Sequence, residues 1–201
     1  MPAAKQPLVG SERFIRRGNT TSFDVLAYWR WAHSELNANT ERGVLAEFIV
    51  GQALGVTAPI RTEWDPYDLV TPEGVKVEVK TSGTWQSWEN PKRSVCNYGI
   101  RTTRTWDKVT GKYCVEATRP ADVYVFCLLH HDEACRVNPL DLDQWTFHVI
   151  SRSVIENKLG AQKRAVLSTL LRIGAEAVDF SGLKEAVARA ARQESAPARL
   201  A

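Results

Sequence analysis

The sequence predicts a single α/β domain with a mixed central β-sheet flanked by helices. Three observations carry this. An apolar stripe at helical spacing runs from Asn39 to Leu54 and stops at Gly55. Two short β-prone runs flank the turn sequence Pro72-Glu73-Gly74. The nearly continuous apolar segment from Ala121 to Leu129 reads as a strand buried on both faces. Strands bracketed by helices at both ends give the α/β class.

Taken in order, residues 1–21 form a polar lead-in, and a single domain spans 22–180. A first helix is predicted from Ser22, a plausible capping serine, to Leu36. Asn39 or Thr40 caps the second, with Val44, Leu45, Phe48, Ile49 and Ala53 as its apolar stripe. After Pro59 the pattern changes to strand. Asp68 to Thr71 and Val75 to Lys80 form a hairpin, and Ser94 to Arg101 a third strand. The buried strand follows, then one in which Trp145, Phe147 and Val149 alternate with Thr146 and His148. Short helices begin near Ser153, ending at Gly160, and near Ser168, ending at Ile173. Residues 181–201 are a last helix, with Leu183, Val187 and Ala190 on one face, and a frayed tail.

At 201 residues the chain is long enough for one substantial core, and its hydrophobic fraction of 44% and charged fraction of 24% are ordinary for globular proteins. No apolar run approaches the roughly 20 residues of a membrane span. The start lacks the apolar stretch of a signal peptide, so a soluble, cytoplasmic protein is expected. Cys96, Cys114, Cys127 and Cys135 contain no C-x-x-C pair, and read as buried or inert thiols rather than a zinc site with His130 and His131. The two histidines read as the end of the buried strand. Net charge is only +3, but residues 92–112 carry Lys92, Arg93, Arg101, Arg104, Lys108 and Lys112 against Asp107 alone. That stretch is +5 and the remainder −2, a local basic surface able to hold phosphates, or else a solvated loop.

Strand geometry sets what the hairpin can do. Side chains two apart share a face, so Glu78 and Lys80 point away from Val75, Val77 and Val79, which want the core. A three-residue loop at 72–74 pairs Thr71 with Val75 and, counted back, Asp68 with Glu78. Directly opposed carboxylates destabilise a sheet unless a divalent cation binds both. Magnesium favours such oxygens, and the backbone carbonyl of Val79 offers a further one. Lys80 points from a metal site toward hydrolysis, because its ammonium can polarise a bound water or balance charge on an attacked phosphate.

Asp68 followed by Glu78-Val79-Lys80 resembles the PD-(D/E)xK nuclease superfamily, whose motif is an acid, a variable gap and an acid-x-lysine on the next strand. The resemblance implies a restriction-endonuclease-like fold: a helix, a β-meander and a further αβ unit, matching Asn39 to Ile150. It implies catalysis and metal binding by Asp68 and Glu78, with Val79 as a ligand and Lys80 catalytic. It also implies a catalytic, metal-binding glutamate on the preceding helix, supplied by Glu47, which shares a helical row with Gly43 and Gly51. This chain departs from the pattern in one respect: Tyr67, not proline, precedes the first acid. Asp65, followed by Pro66, is therefore a rival for the metal.

The activity so implied is a Mg²⁺-dependent phosphodiesterase, with Mn²⁺ able to substitute and an endonuclease favoured over an exonuclease. DNA is the expected partner, in phage defence or repair, with a homodimer plausible by symmetry. Ser82 and Gln86 follow the lysine and, with Lys92, Arg93, Arg101 and Arg104, are candidates for contacting nucleic acid. Trp85 and Trp88 suit either base stacking or core packing. No G-x-x-x-x-G-K or G-x-S-x-G occurs, so nucleotide hydrolysis and acyl transfer have no support. Two other classes fit: a non-catalytic nucleic-acid-binding module of the same fold, or a small protein-interaction domain using its tryptophans.

Overall fold

The computed structural model describes residues 6–58, 60–61, 65–87, 92–104, 106–107 and 111–195. It opens with a hairpin, β1 (Arg13–Arg16) and β2 (Asn19–Asp24), in the segment expected to be a polar lead-in. Helix α1 (Val25–His33) follows directly, so the first helix starts three residues later than Ser22. Its cap is Asp24, whose carboxylate accepts the Ala27 N–H at 2.9 Å.

Helix α2 (Asn39–Leu54) has the predicted extent, and Gly55 closes it with φ of 71°. Neither Asn39 nor Thr40 is its cap. Ala38 takes that place, and the Asn39 side chain accepts from Arg42 at 2.6 Å. The buried face is also rotated from the expected stripe. Ala46, Ile49, Val50 and Leu54 enter the core, whereas Val44 and Phe48 are exposed.

The remaining strands are β3 (Leu69–Val70), β4 (Lys76–Gly83), β5 (Asn97–Gly99), β6 (Trp106–Asp107), β7 (Lys112–Tyr113), β8 (Val123–Leu129), β9 (Trp145–Ser151), β10 (Arg164–Val166) and β11 (Glu176–Val178). Helices α3 (Arg152–Leu159), α4 (Leu167–Arg172) and α5 (Leu183–Ser195) complete the chain. The central sheet has the order β11-β9-β8-β4-β3. It is mixed: β4 runs parallel to β8, and the other pairs are antiparallel. The expected third strand is β5, but it pairs with β10 outside this sheet.

All seven residues of β8 are buried, because its neighbours cover both edges and apolar layers cover both faces. On one face Val77, Val79, Val125 and Phe147 meet Ala46 and Val50 of α2, and Leu183 and Val187 of α5. On the other, Tyr124, Phe126 and Ile150 meet Tyr98 and Ile100 beside β5, with Ile155 and Leu170. Helix α5 therefore packs into the core. Of the four cysteines Cys127 is buried, Cys96 is half-buried, and Cys114 and Cys135 are exposed. Among the described residues no helix is long and apolar enough to cross a membrane.

Candidate active site

The β3–β4 hairpin has the register its sequence predicts. Leu69 pairs with Val77 and Val70 with Lys76, and Thr71 donates to the Val75 carbonyl at 3.0 Å. Gly74 closes the turn with φ of 84°, a conformation open to glycine. Continued by one residue, the register sets Asp68 beside Glu78. Asp68 lies just outside the regular strand. Its N–H donates to Val77 O at 3.1 Å, and its carboxylate accepts the Val79 N–H at 2.7 Å. A side chain thus satisfies a ladder donor, which fixes the carboxylate against β4.

Val77 and Val79 are buried in the layer under α2, so Glu78 and Lys80 face the opposite way. There the parallel pairing places Tyr124 beside Glu78 and Phe126 beside Lys80. The Lys80 ammonium donates to Glu78, and both side chains remain half-exposed. Burial, then the charge of Glu78, push the Asp68 carboxyl up to about 7. Glu47 adds to that effect, while the Val79 N–H and Lys80 oppose it. Burial first, then Glu78, also raises the Tyr124 hydroxyl, keeping it protonated.

Glu47 reaches this centre from α2. A Cβ at Gly51 would lie 3.5 Å from Leu69, and one at Gly43 would lie 3.9 Å from Thr81, so both glycines sit where the helix lies against the hairpin. Its carboxylate accepts from Arg61 at 2.5 and 2.8 Å. Asp68 lines a groove with Glu47, Phe48, Asp65, Tyr67 and Leu69. A cleft of about 650 Å³ has Glu78, Lys80 and Tyr124 on its wall. Asp65 is thus near Asp68 but off the ladder that opposes Glu78. No group of three His, Cys, Asp or Glu close enough to cage a metal occurs among the described residues.

Cations face the cleft from Arg101, Lys163 and Arg164. Buried Arg119 organises that rim by donating to the carbonyls of Ile100 at 2.8 Å, Gly160 at 2.8 Å and Gln162 at 3.2 Å. Ile100 donates in turn to Lys163 O at 3.0 Å. Lys163 and Arg164 were missed by sequence reasoning, although they form a basic doublet just after the Gly160 helix stop.

The other candidates for contacting nucleic acid lie outside this cleft. Ser82 is buried near Cys96, whose thiol burial pushes up while the Ser82 hydroxyl partly opposes that shift. Gln86 donates to Ser94 Oγ at 3.0 Å, holding the loop. Arg93 donates to Asp132 at 2.8 Å and lies over the Trp85 ring, whose N–H donates to His131 O at 2.9 Å. Lys92, Arg104 and Lys112 are exposed, and Trp88 and Lys108 lie outside the described residues. His130 meets Thr146 at 2.9 Å at the end of β8.

A family model confirms the class of chemistry that this arrangement suggests. Residues 6–165 match the model for bacteriophage T4 endonuclease IV. The chain belongs to the bacteriophage T4 endonuclease IV family. No curated protein matches it. The match covers well over half the chain and takes in Glu47, Asp68, Glu78, Lys80, Arg101, Lys163 and Arg164. Membership of the endonuclease IV family makes the broad class that of a nuclease.

Proposed function

We propose that this chain is a magnesium-dependent endonuclease that hydrolyses phosphodiester bonds in DNA, using the acid and acid-x-lysine arrangement of the PD-(D/E)xK superfamily. One observation carries the reading: hairpin register sets Asp68 beside Glu78, with Lys80 two residues on, at a cleft rimmed by three cations, in a member of an endonuclease family.

The donor set suits a hard divalent ion. Asp68, Glu78 and the Val79 carbonyl are the residues that would hold Mg²⁺ or Mn²⁺. Burial first, and then the charge of Glu78, raise the Asp68 carboxyl, and a cation held between the two acids would offset both. When bound, the ion polarises a phosphodiester oxygen and makes water more acidic. Lys80 orients the attacking water and balances charge growing on the phosphate. Arg101, Lys163 and Arg164 grip the strand so that the phosphorus lies in line with that water. One P–O bond forms from water and one breaks, leaving a phosphate end and a hydroxyl end. Glu47, held by Arg61, flanks Asp68 and supports its geometry from the groove side.

The test is incubation of the purified protein with plasmid, linear duplex, single-stranded DNA and RNA, with magnesium, manganese or chelator. Internal cleavage of DNA that needs the metal, and that Glu78→Ala abolishes, is the expected result. Binding without cleavage in every metal would sink the enzymatic reading and leave a non-catalytic nucleic-acid-binding module.

A further inference from the structure

The β1–β2 hairpin concentrates charge that the fold does not use. From Arg13 to Phe23 the sequence reads Arg-Phe-Ile-Arg-Arg-Gly-Asn-Thr-Thr-Ser-Phe, with three arginines and no acid. No residue of either strand is buried, and all four of β1 are exposed. Arg13 is engaged within the hairpin, donating to the Ser22 carbonyl at 2.5 Å. Neither Arg16 nor Arg17 has an ion-pair partner among the described residues. Phe14 and Arg16, two apart on β1, point the same way. The rings of Phe14 and Phe23 meet at 4.9 Å, so one open face carries an aromatic pair with an arginine beside it. The chain reverses through Arg17 and Gly18, both at positive φ, which places an arginine where a hairpin ordinarily has Asn or Gly. A two-stranded hairpin is marginal in water, and clustered charges of one sign weaken it further.

We propose that this hairpin is a second DNA-binding element, distinct from the cleft, in which Arg16 and Arg17 hold phosphates and the Phe14 and Phe23 rings stack on unpaired bases. The inference rests on the reading of DNA as the substrate. Charge complementarity selects the occupant. A basic run without an acid suits a polyanion, whereas a second copy would bring the same charges against it. Aromatic rings beside arginine are the chemistry that holds a single strand, because every base has a π-face and every linkage a phosphate. Exposed Asn19 and Thr20 add neutral donors of the kind that contact phosphate. The hairpin also lies inside residues 6–165, the span matched to the endonuclease IV family. It runs directly into α1, and His33 at the end of α1 meets Glu41 at 3.0 Å on α2, the helix that carries Glu47. An anionic lipid surface is the other polyanion that basic and aromatic side chains meet, and the test separates it.

Binding is measured apart from cleavage, so that the two readings fail separately. In chelator, the fluorescence anisotropy of a labelled single strand, and of its duplex, is followed against salt with the full chain. Arg16→Gln combined with Arg17→Asn, a residue suited to positive φ, should flatten the log-log salt slope by about 0.7 per arginine on the single strand and about 0.9 on the duplex. Phe14→Ala should weaken single-strand binding roughly tenfold with the slope unchanged, and should affect the duplex little. The melting transition should not move in these variants, since every altered side chain is exposed. Arg172→Gln, at an exposed arginine on α4, should leave binding as it is. Hairpin variants that bind both DNAs as wild type does would overturn the proposal while leaving the cleft reading in place. An equal loss of slope in Arg172→Gln would overturn it too, as would hairpin variants that lose binding only to vesicles of phosphatidylglycerol. A hairpin effect on binding in a chain that cleaves nothing would support the proposal and sink the nuclease reading alone.

Discussion

Burial and the neighbouring Glu78 keep Asp68 protonated toward neutral pH, which gives the carboxylate pair a measurable signature before any substrate is added. In the unfolded chain Asp68 ionises near its ordinary value of 3.8, and in the fold near 7. A raised acid favours the folded state fully below the unfolded value, and that contribution is lost as pH rises through the folded one. Asp68→Asn keeps an acceptor for the Val79 N–H and cannot ionise. Without metal, the variant should match wild type near pH 4 and exceed it by about 2 kcal/mol near pH 8, a figure below the full linkage value because part of the site reaches solvent. Urea melts across that range check it, and a gap that does not grow with pH would show that the carboxyl is not raised. Lys80 makes a different kind of contribution. In the proposed mechanism its ammonium serves the attack rather than general phosphate attraction, so Lys80→Ala should lower kcat roughly a hundredfold or more while KM changes little. Wild-type turnover at saturating substrate would remove Lys80 from the chemistry.

The β3–β4 hairpin was legible because a period of two and a short glycine-closed turn determine register, and register alone sets Asp68 beside Glu78. Helix α2 was legible in extent but not in facing, since Val44 and Phe48 suit a core as well as Ala46 and Val50 do. The β1–β2 hairpin was not legible. Its turn uses Arg17 and Gly18, both at positive φ, where an Asn-Gly pair would have announced it. The cleft rim was hidden for another reason: β10 pairs with β5 across more than sixty residues, and no local pattern encodes that pairing. That pairing, with the Arg119 tether, sets Lys163 and Arg164 beside Arg101 on the rim of the cleft, and these three make the proposed phosphate grip. In a Glu78→Ala background with calcium, removing two of these three should flatten the log-log salt dependence of DNA binding by about 0.7 to 0.9 per lost contact. Arg93→Ala should change it little, because Arg93 is occupied by Asp132. The opposite pattern would return the substrate path to the Trp85 loop.

At the scale of the whole molecule, the sheet separates one buried layer from the proposed site. Glu78 and Lys80 face the cleft, while the layer beneath α2 and α5 on the other face holds Val77, Val79 and Phe147. Helix α5 lies beyond the region matched to the endonuclease IV family, yet it contributes fully buried Leu183 and Ala186 to that layer. It is tied across the molecule as well: Glu194 accepts from Arg152 at 2.5 Å and from the Ser153 N–H at 2.7 Å, at the start of α3. Leu183→Ala should therefore cost about 3 kcal/mol through lost burial and the cavity left behind. For a domain of this size that corresponds to a fall in Tm of roughly 6 to 12 °C. Cleavage measured well below the lowered Tm should keep its wild-type kcat and metal requirement, because Leu183 lies in the layer on the other face of the sheet from the cleft. Calorimetry paired with a low-temperature cleavage assay separates the outcomes. Activity lost while the variant is still folded would mean that the α5 layer governs the geometry of Asp68 and Glu78 through β4, and that the two faces of the sheet are not independent.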